Sequence, residues 1–269
     1  MSTKKNIPFL KWAGGKRWLM ESHSSLFDFS YERFIEPFLG GGAVFFGLQP
    51  RRAILSDSND ELINVYSVIK HDWELLVSKL KKHHKKHDFD YYYKLRSSKP
   101  RSDVGRAARF IYLNRTCWNG LYRVNRKGEF NVPIGTKSSV FQEEDDFEFI
   151  SKLLRNVTLQ SCDFEKTISM AKKGDFLFVD PPYTVLHNKN GFVKYNESIF
   201  TWSDQCRLKD AVEAACSQGA KVMVTNASHA SIVDLYSGVG EITTLKRKST
   251  ISGSVASRGK YEEVVIKCF

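Results

Sequence analysis

The chain has 269 residues, 42% of them hydrophobic, and a formal net charge of +11 at pH 7, enough apolar material for one large domain or for one core carrying an inserted subdomain. Its five cysteines (Cys117, Cys162, Cys206, Cys216 and Cys268) are widely spaced with no C-x-x-C pair, which argues against a disulfide framework or zinc knuckle and for a reducing, cytoplasmic compartment. Met1 to Pro8 is polar and basic with no apolar stretch behind it, and no segment approaches membrane-spanning length, so neither a signal peptide nor a membrane span is expected.

In chain order, Gly14-Gly15-Lys16 comes first. A triphosphate loop of the form G-x-x-x-x-G-K-[ST] is excluded, because Asn6, Pro8 and their neighbours supply no upstream glycine and Arg17 stands where Ser or Thr is needed. A β-prone run, Phe34–Phe38, leads into Gly40-Gly41-Gly42; glycines at a strand-to-helix turn let the backbone approach a ligand with no Cβ in the way. The next run, Ala53–Ser56, is closed by Asp57. Its spacing suits an acid that accepts both ribose hydroxyls of a nucleoside. It suits a helix N-cap equally, since Asn59-Asp60-Glu61 opens a periodic apolar stretch.

From about Asp60 to Phe149 the pattern becomes helix-like and charged, with aromatic clusters and then a hairpin pattern. We read residues 60–149 as an insertion into an α/β domain made of residues 1–59 and 150–269. Residues 61–137 hold 17 Lys and Arg against 7 Asp and Glu. Two readings stand side by side: a solvated basic face, or the footprint of a polyphosphate whose binding is driven by counterion release. The histidines of Lys79–His87 sit among lysines rather than carboxylates, which points to a solvated or phosphate-facing helix and away from a metal site. Leu121–Asn125 and Glu129–Val132 are β-prone runs joined by Arg126-Lys127-Gly128, with glycine placed for a positive φ, so a hairpin is expected.

Short β-rich runs return at Val157–Gln160, Phe176–Val179, Val222–Thr225 and Glu263–Lys267. Most are separated by stretches long enough for a helix, which predicts an α/β sheet with mostly parallel strands. The run Phe176-Leu-Phe-Val-Asp180-Pro181-Pro182-Tyr183 delivers an acid, two prolines and an aromatic at a strand's carboxyl end, the edge where open parallel sheets bind ligands. The prolines lack N–H donors and restrict the turn. The Asp180 carboxylate and the Pro181 carbonyl can then present two acceptors to one small group, and an amine with two N–H donors suits that pair.

Asp180-Pro-Pro-Tyr183 resembles the catalytic motif of the amino-methyltransferases that modify adenine N6 in DNA. Three further stretches resemble the Dam family of that class. Phe9-Leu-Lys-Trp-Ala-Gly-Gly-Lys16 is similar to its opening motif, and Glu36-Pro-Phe-Leu-Gly-Gly-Gly42 to its cofactor loop. Asn114-Arg115 through Asn119-Gly120, Arg123, Asn125 and Gly128-Glu-Phe-Asn-Val-Pro133 are similar to its DNA-reading segment. The motifs keep the family's order from residue 9 to about residue 265.

The resemblance implies an α/β, Rossmann-like S-adenosylmethionine-dependent methyltransferase sheet with an inserted, mainly helical DNA-recognition subdomain carrying a β-hairpin. It implies S-adenosyl-L-methionine as donor, S-adenosyl-L-homocysteine as product and double-stranded DNA as partner. No metal is implied, GATC is the first candidate site, and a monomeric, cytoplasmic protein of bacterial or phage origin is expected. Asp180, Pro181 and Tyr183 are its catalytic residues. Cofactor contacts are expected from Trp12, Ala13, Gly14, Lys16, Glu36, Pro37, Phe38, Gly40, Gly42, Asp57, Asp163, Phe164 and Asp180, with Trp12 alternatively a core aromatic. DNA contacts are expected from Arg115, Trp118, Asn119, Leu121, Arg123, Asn125 and Pro133. A two-stranded ribbon fits a major groove, where an arginine can make two hydrogen bonds to guanine; Arg123 is the candidate, a pairing with Glu129 or solvent the alternative. Trp118 is placed to fill the gap left by a flipped base, although Thr116 and Cys117 before it depart from many relatives. Thr184–Phe200 is read as a lid or a plain surface loop, and Lys246–Lys248 with Arg258–Lys260 as further phosphate contacts. The competing functions are methylation of cytosine N4 or an RNA amine, and a non-catalytic DNA-binding regulator that keeps the fold.

Overall fold

The computed structural model describes residues 8–125, 127–141, 145–186, 200–248 and 260–269. The described elements in chain order are α1 (Arg17–Ser22), β1 (Arg33–Glu36), α2 (Ala43–Leu48), β2 (Ala53–Asp57), α3 (Asp60–Lys85), α4 (Phe89–Ser97), α5 (Asp103–Thr116), α6 (Phe147–Leu154), β3 (Val157–Ser161), α7 (Phe164–Ile168), β4 (Asp175–Val179), α8 (Trp202–Ser217), β5 (Lys221–Ala227), α9 (Ala230–Leu235), β6 (Glu241–Lys248) and β7 (Lys260–Cys268). They form two compact units. The first takes in Met1–Ser24, Leu39–Arg51 and Asp57–Ser161, the second Ser25–Phe38, Arg52–Ser56 and Cys162–Phe269.

The second unit is built on a Rossmann-like sheet whose strands run in the order β2-β1-β4-β5-β7-β6. β1 pairs in parallel with β2 and β4, and β4 with β5; β7 is antiparallel to both β5 and β6. All of β4 is buried, as a parallel strand covered on both faces requires, and this is why its sequence is a continuous apolar run. β1 stops at Glu36, two residues before the expected end, because Pro37 has no N–H to extend the ladder. At the amino ends of these strands Arg33 forks onto Asp175, with Nε to Oδ1 at 3.1 Å and Nη2 to Oδ2 at 2.6 Å. The apolar core gathers Ile35, Leu177, Val222, Val224, Leu208 and Ile266. Cys216 and Cys268 form a disulfide, their Cα atoms 6.2 Å apart. The two are 52 residues apart in sequence, and the packing of α8 and the final strand brings them together.

The first unit is mainly helical. Asn59 caps α3, its side chain accepting from Leu62 N, while Asp88 and Ser102 cap α4 and α5 in the same way. α3 packs along α5 and α6 and departs from helical geometry at Asp72 (φ −136°). The histidine-rich end of α3 is tied into the packing: His83 Nδ1 and Tyr91 Oη lie 2.7 Å apart, His87 Nδ1 and Tyr112 Oη 2.7 Å, and His84 Nδ1 accepts from Val140 N. Among the described residues no helix is long and apolar enough to cross a membrane.

Candidate active site

In the second unit the chain leaves β4 at Asp180, beside the end of β5. Val179 is opposite Val224, which brings Thr225 abreast of Asp180, and the Thr225 hydroxyl donates to Asp180 Oδ1 at 2.7 Å. Pro181 is buried, and Asp180 and Tyr183 are half-buried. The Tyr183 hydroxyl donates to Glu263 Oε2 at 2.7 Å. Burial, followed by the charges of Asp180 and Glu263, holds the Tyr183 phenol well above its usual pKa, so it stays protonated and donating. Glu263, 3% exposed on β7, and Thr225, 1% exposed on β5, are site residues that the sequence reading missed. The only signal was an acid at the head of an apolar strand, Glu262-Glu263-Val-Val-Ile.

Behind this motif Thr184 Oγ1 donates to the Phe200 carbonyl at 2.7 Å, and Asn226 Nδ2 to Gln205 Oε1 at 3.1 Å. Glu36 at the end of β1 is 3% exposed, and Pro37 is buried. The Phe38 ring stacks on Phe164 with centroids 5.4 Å apart and meets Phe200 edge-on at 5.7 Å. Arg207 lies over the Phe164 ring, 4.9 Å from its centroid. Asp163 is the N-cap of α7, its Oδ1 accepting from Glu165 N and from Arg207 Nη2, both at 3.0 Å. The structure therefore brings Phe38 and Phe164 into one aromatic group.

In the first unit Asp57 is held by backbone donors: Gly40 N reaches Oδ2 and Asn59 N reaches Oδ1, each at 3.0 Å. Burial pushes its carboxyl pKa up, against the pull of the backbone N–H groups of Asn59, Gly40 and Ser58. Asn59, not Asp57, caps the helix that follows. Trp12 is half-buried, stacked with Tyr122 at 5.7 Å and Phe110 at 6.4 Å. It also explains the glycines beside it. A Cβ on Gly40 (φ +48°) would come within 2.6 Å of the Trp12 indole, and one on Gly41 within 3.1 Å of the Trp12 Cβ. Gly42 (φ +66°) lies under Tyr66, whose hydroxyl a Cβ would meet at 2.9 Å. Ala13 and Gly14 are exposed, while Lys16 is 3% exposed and donates from Nζ to the Gly14 carbonyl at 2.8 Å.

The expected hairpin is short. Val124 bridges Phe130, Asn125 N donates to Glu129 O, and Asn131 N to Arg123 O. Gly128 takes φ +74° at the turn, and Asn125 Oδ1 accepts from the N–H groups of Lys127 and Glu129. Arg123 is exposed, with Nε donating to Asn131 Oδ1 at 2.9 Å rather than pairing with Glu129. Trp118 is 54% exposed. Asn119 and Pro133 are exposed, Leu121 half-buried, and Asn119 adopts φ +54°. Arg115 departs from the expectation. It is 5% exposed, forks onto Asp145, and donates to the Val140 and Phe9 carbonyls at 3.0 Å. We correct its assignment from DNA contact to internal tie, because a guanidinium so enclosed cannot turn to a groove without breaking those bonds. Of the segment Thr184–Phe200, read as a lid or a surface loop, residues 187–199 lie outside the described residues, as do Arg258 and Gly259.

Residues 12–251 match the model of the D12 class N6 adenine-specific DNA methyltransferases. The chain is 40% identical to a protein of Lactococcus lactis subsp. cremoris named type II methyltransferase M1.LlaDCHI, over 96% of this chain and 94% of that one. It is 36% identical to the type II methyltransferase M.MjaIII of Methanocaldococcus jannaschii, over 96% and 98%. It is 32% identical to a DNA adenine methylase of Vibrio cholerae, over 97% and 96%.

Proposed function

The chain belongs to the D12 class of N6 adenine-specific DNA methyltransferases, and from that premise we propose that it methylates adenine within GATC in duplex DNA, drawing the base out of the stack and transferring the methyl group directly to N6. The observation that carries the reading is the Asp180 carboxylate at the carboxyl end of β4, braced by Thr225 and followed at once by Pro181, Pro182 and Tyr183.

The adenine amine is a weak nucleophile because its lone pair is delocalised into the ring. We assign Asp180 and the Pro181 carbonyl to its two N–H groups, so that both acceptors stabilise the positive charge that develops as nitrogen attacks; the methylated nitrogen then loses its surplus proton to water, and the donor is left as the neutral thioether S-adenosyl-L-homocysteine. The Tyr183 ring is assigned to stack on the extruded base. S-adenosylmethionine, the donor of such methyltransferases, supplies a methyl group on a sulfonium. Within the first unit the fixed Asp57 carboxylate suits a diol, and within the second the Phe38–Phe164 group suits an aromatic base. For the cofactor we retain Trp12, Ala13, Gly14, Lys16, Glu36, Pro37, Gly40, Gly42 and Asp163 beside these. A covalent intermediate would need a cysteine nucleophile next to the motif, and none stands there. For DNA we assign Arg123 to guanine, the exposed Trp118 to the gap left by the base, and Asn119, Leu121, Asn125 and Pro133 to the surrounding surface.

The test is mass spectrometry of nucleosides after incubating the protein and S-adenosylmethionine with matched duplexes that carry GATC or a scrambled site, beside Asp180→Ala. N6-methyladenine confined to GATC and absent in the variant is the expected result. Methylation elsewhere would overturn the site, N4-methylcytosine the base, and tight DNA binding without transfer would favour a non-catalytic regulator.

A further inference from the structure

Two side chains that the catalytic motif does not contain hold it from behind. Asp180 and Tyr183 lie on an irregular segment just past β4, where no ladder fixes their side chains. Thr225 and Glu263 lie on neighbouring strands of the same sheet, β5 and β7, and both are buried. The register places them: Thr225 pairs with Val265 and Ala227 with Glu263, so the acid stands two residues further along the sheet edge than the threonine. The loop's acid is thus bonded to β5, Asp180 by Thr225 Oγ1, and the loop's phenol to β7, Tyr183 by Glu263 Oε2, both at 2.7 Å, with the Thr225 hydroxyl also meeting the phenol.

We propose that Glu263 is a positioning residue for methyl transfer, fixing the plane of the Tyr183 ring through the phenol hydrogen bond while Thr225 fixes the Asp180 carboxylate. This rests on the assignment of Tyr183 as the stacking platform. A ring that turns about its Cα–Cβ and Cβ–Cγ bonds offers a base no fixed face. Anchoring the far end of the ring, at the hydroxyl, removes that freedom before the base arrives, which is preorganisation on a rigid element. It also explains why the motif ends in tyrosine in this chain: phenylalanine would stack as well but would leave nothing for β7 to hold. A buried carboxylate at this place has a second consequence. With its acceptor removed, the buried phenol loses its bond to β7, and with the phenol removed, Glu263 loses that donor, so the two substitutions act through one bond and do not add.

The experiment is a double-mutant cycle on the full chain with Tyr183→Phe, Glu263→Ala and the pair, followed by single-turnover methylation of duplex DNA, with KM for DNA measured in parallel. Each single variant is expected to lower the single-turnover rate constant by roughly tenfold or more with little change in KM, as misoriented reacting groups do, and the double variant is expected to be no slower than the slower single. Glu263→Gln, which keeps an acceptor oxygen and the side-chain shape, is expected to restore most of the lost rate and covers the case in which Glu263→Ala fails to fold. Multiplying effects, or a Glu263→Gln rate as low as that of Glu263→Ala, would overturn the proposal. A readout independent of catalysis separates it from the functional reading. In protein labelled at tyrosine Cζ, the Tyr183 carbon signal, identified by its loss in Tyr183→Phe, is expected to move in Glu263→Ala and to stay near its place in Glu263→Gln. If the wild-type chain methylates another base, the GATC-adenine reading fails while these shifts still report on the clamp; if the signal does not move, the clamp fails whatever the substrate.

Discussion

Asp180 was legible from its neighbours in the chain, because a strand that ends in Asp-Pro-Pro-Tyr announces a rigid pair of acceptors. Arg115 shows the opposite: its place in a recognisable motif suggested DNA, whereas its surroundings make it a buried fork between Asp145 and two carbonyls. Replacing it with leucine is expected to destabilise the fold by about 3 kcal/mol, the usual consequence of stripping one partner from a buried ion pair, without altering which DNA sites are methylated. Urea unfolding read beside site preference checks both halves. Lysine should not rescue it, since it lacks the planar fork. Gly40 makes a second case. With φ +48° and the Trp12 indole 2.6 Å from any added Cβ, Gly40→Ala is expected to push Trp12 off the loop and lower stability by about 1–3 kcal/mol, seen as a lower unfolding midpoint.

At the scale of elements, the helical character of the stretch after Asp60 was visible from its pattern, and the sheet from its apolar runs, whereas the capping residues Asn59, Asp88 and Ser102 emerged only with the structure. So did the function of the histidines closing α3, because KLKKHHKKH reads as a solvated face until α4 and α5 are laid against it. Burial, followed by the charges of Lys79 and Lys86, lowers the pKa of His83 to about 4, and His87 is lowered as well. The fold thus favours the neutral rings that meet Tyr91 and Tyr112. The unfolded chain takes up protons near the ordinary histidine value of about 6.5, while folded His83 does so only near 4. The stability contributed by these rings is present above pH 6.5 and is lost as pH falls from there towards 4. Thermal unfolding at pH 7.5 and pH 5 should therefore show a lower midpoint in acid, and His83→Gln should narrow the difference.

For the molecule as a whole, the basic charge concentrated in residues 61–137 predicts that duplex binding weakens steeply with salt, as counterion release requires. Arg123→Ala should relax discrimination at one guanine by about 1–3 kcal/mol and change the salt slope little, because base contacts specify while phosphate contacts bind. Binding isotherms on matched and mismatched duplexes at several salt concentrations separate the two effects. What the sequence determined by itself were the features written in neighbouring residues: the α/β alternation, the helical stretch after Asp60, the turn at Gly128 and the acid at the end of β4. Tertiary structure decided which of these side chains meet. Tyr183 finds Glu263 80 residues away, Asp180 finds Thr225 45 residues away, and Cys216 finds Cys268 across 52. Local periodicity tells each strand which side to bury, but strand order and register select its neighbours, and those are fixed only when the whole sheet packs.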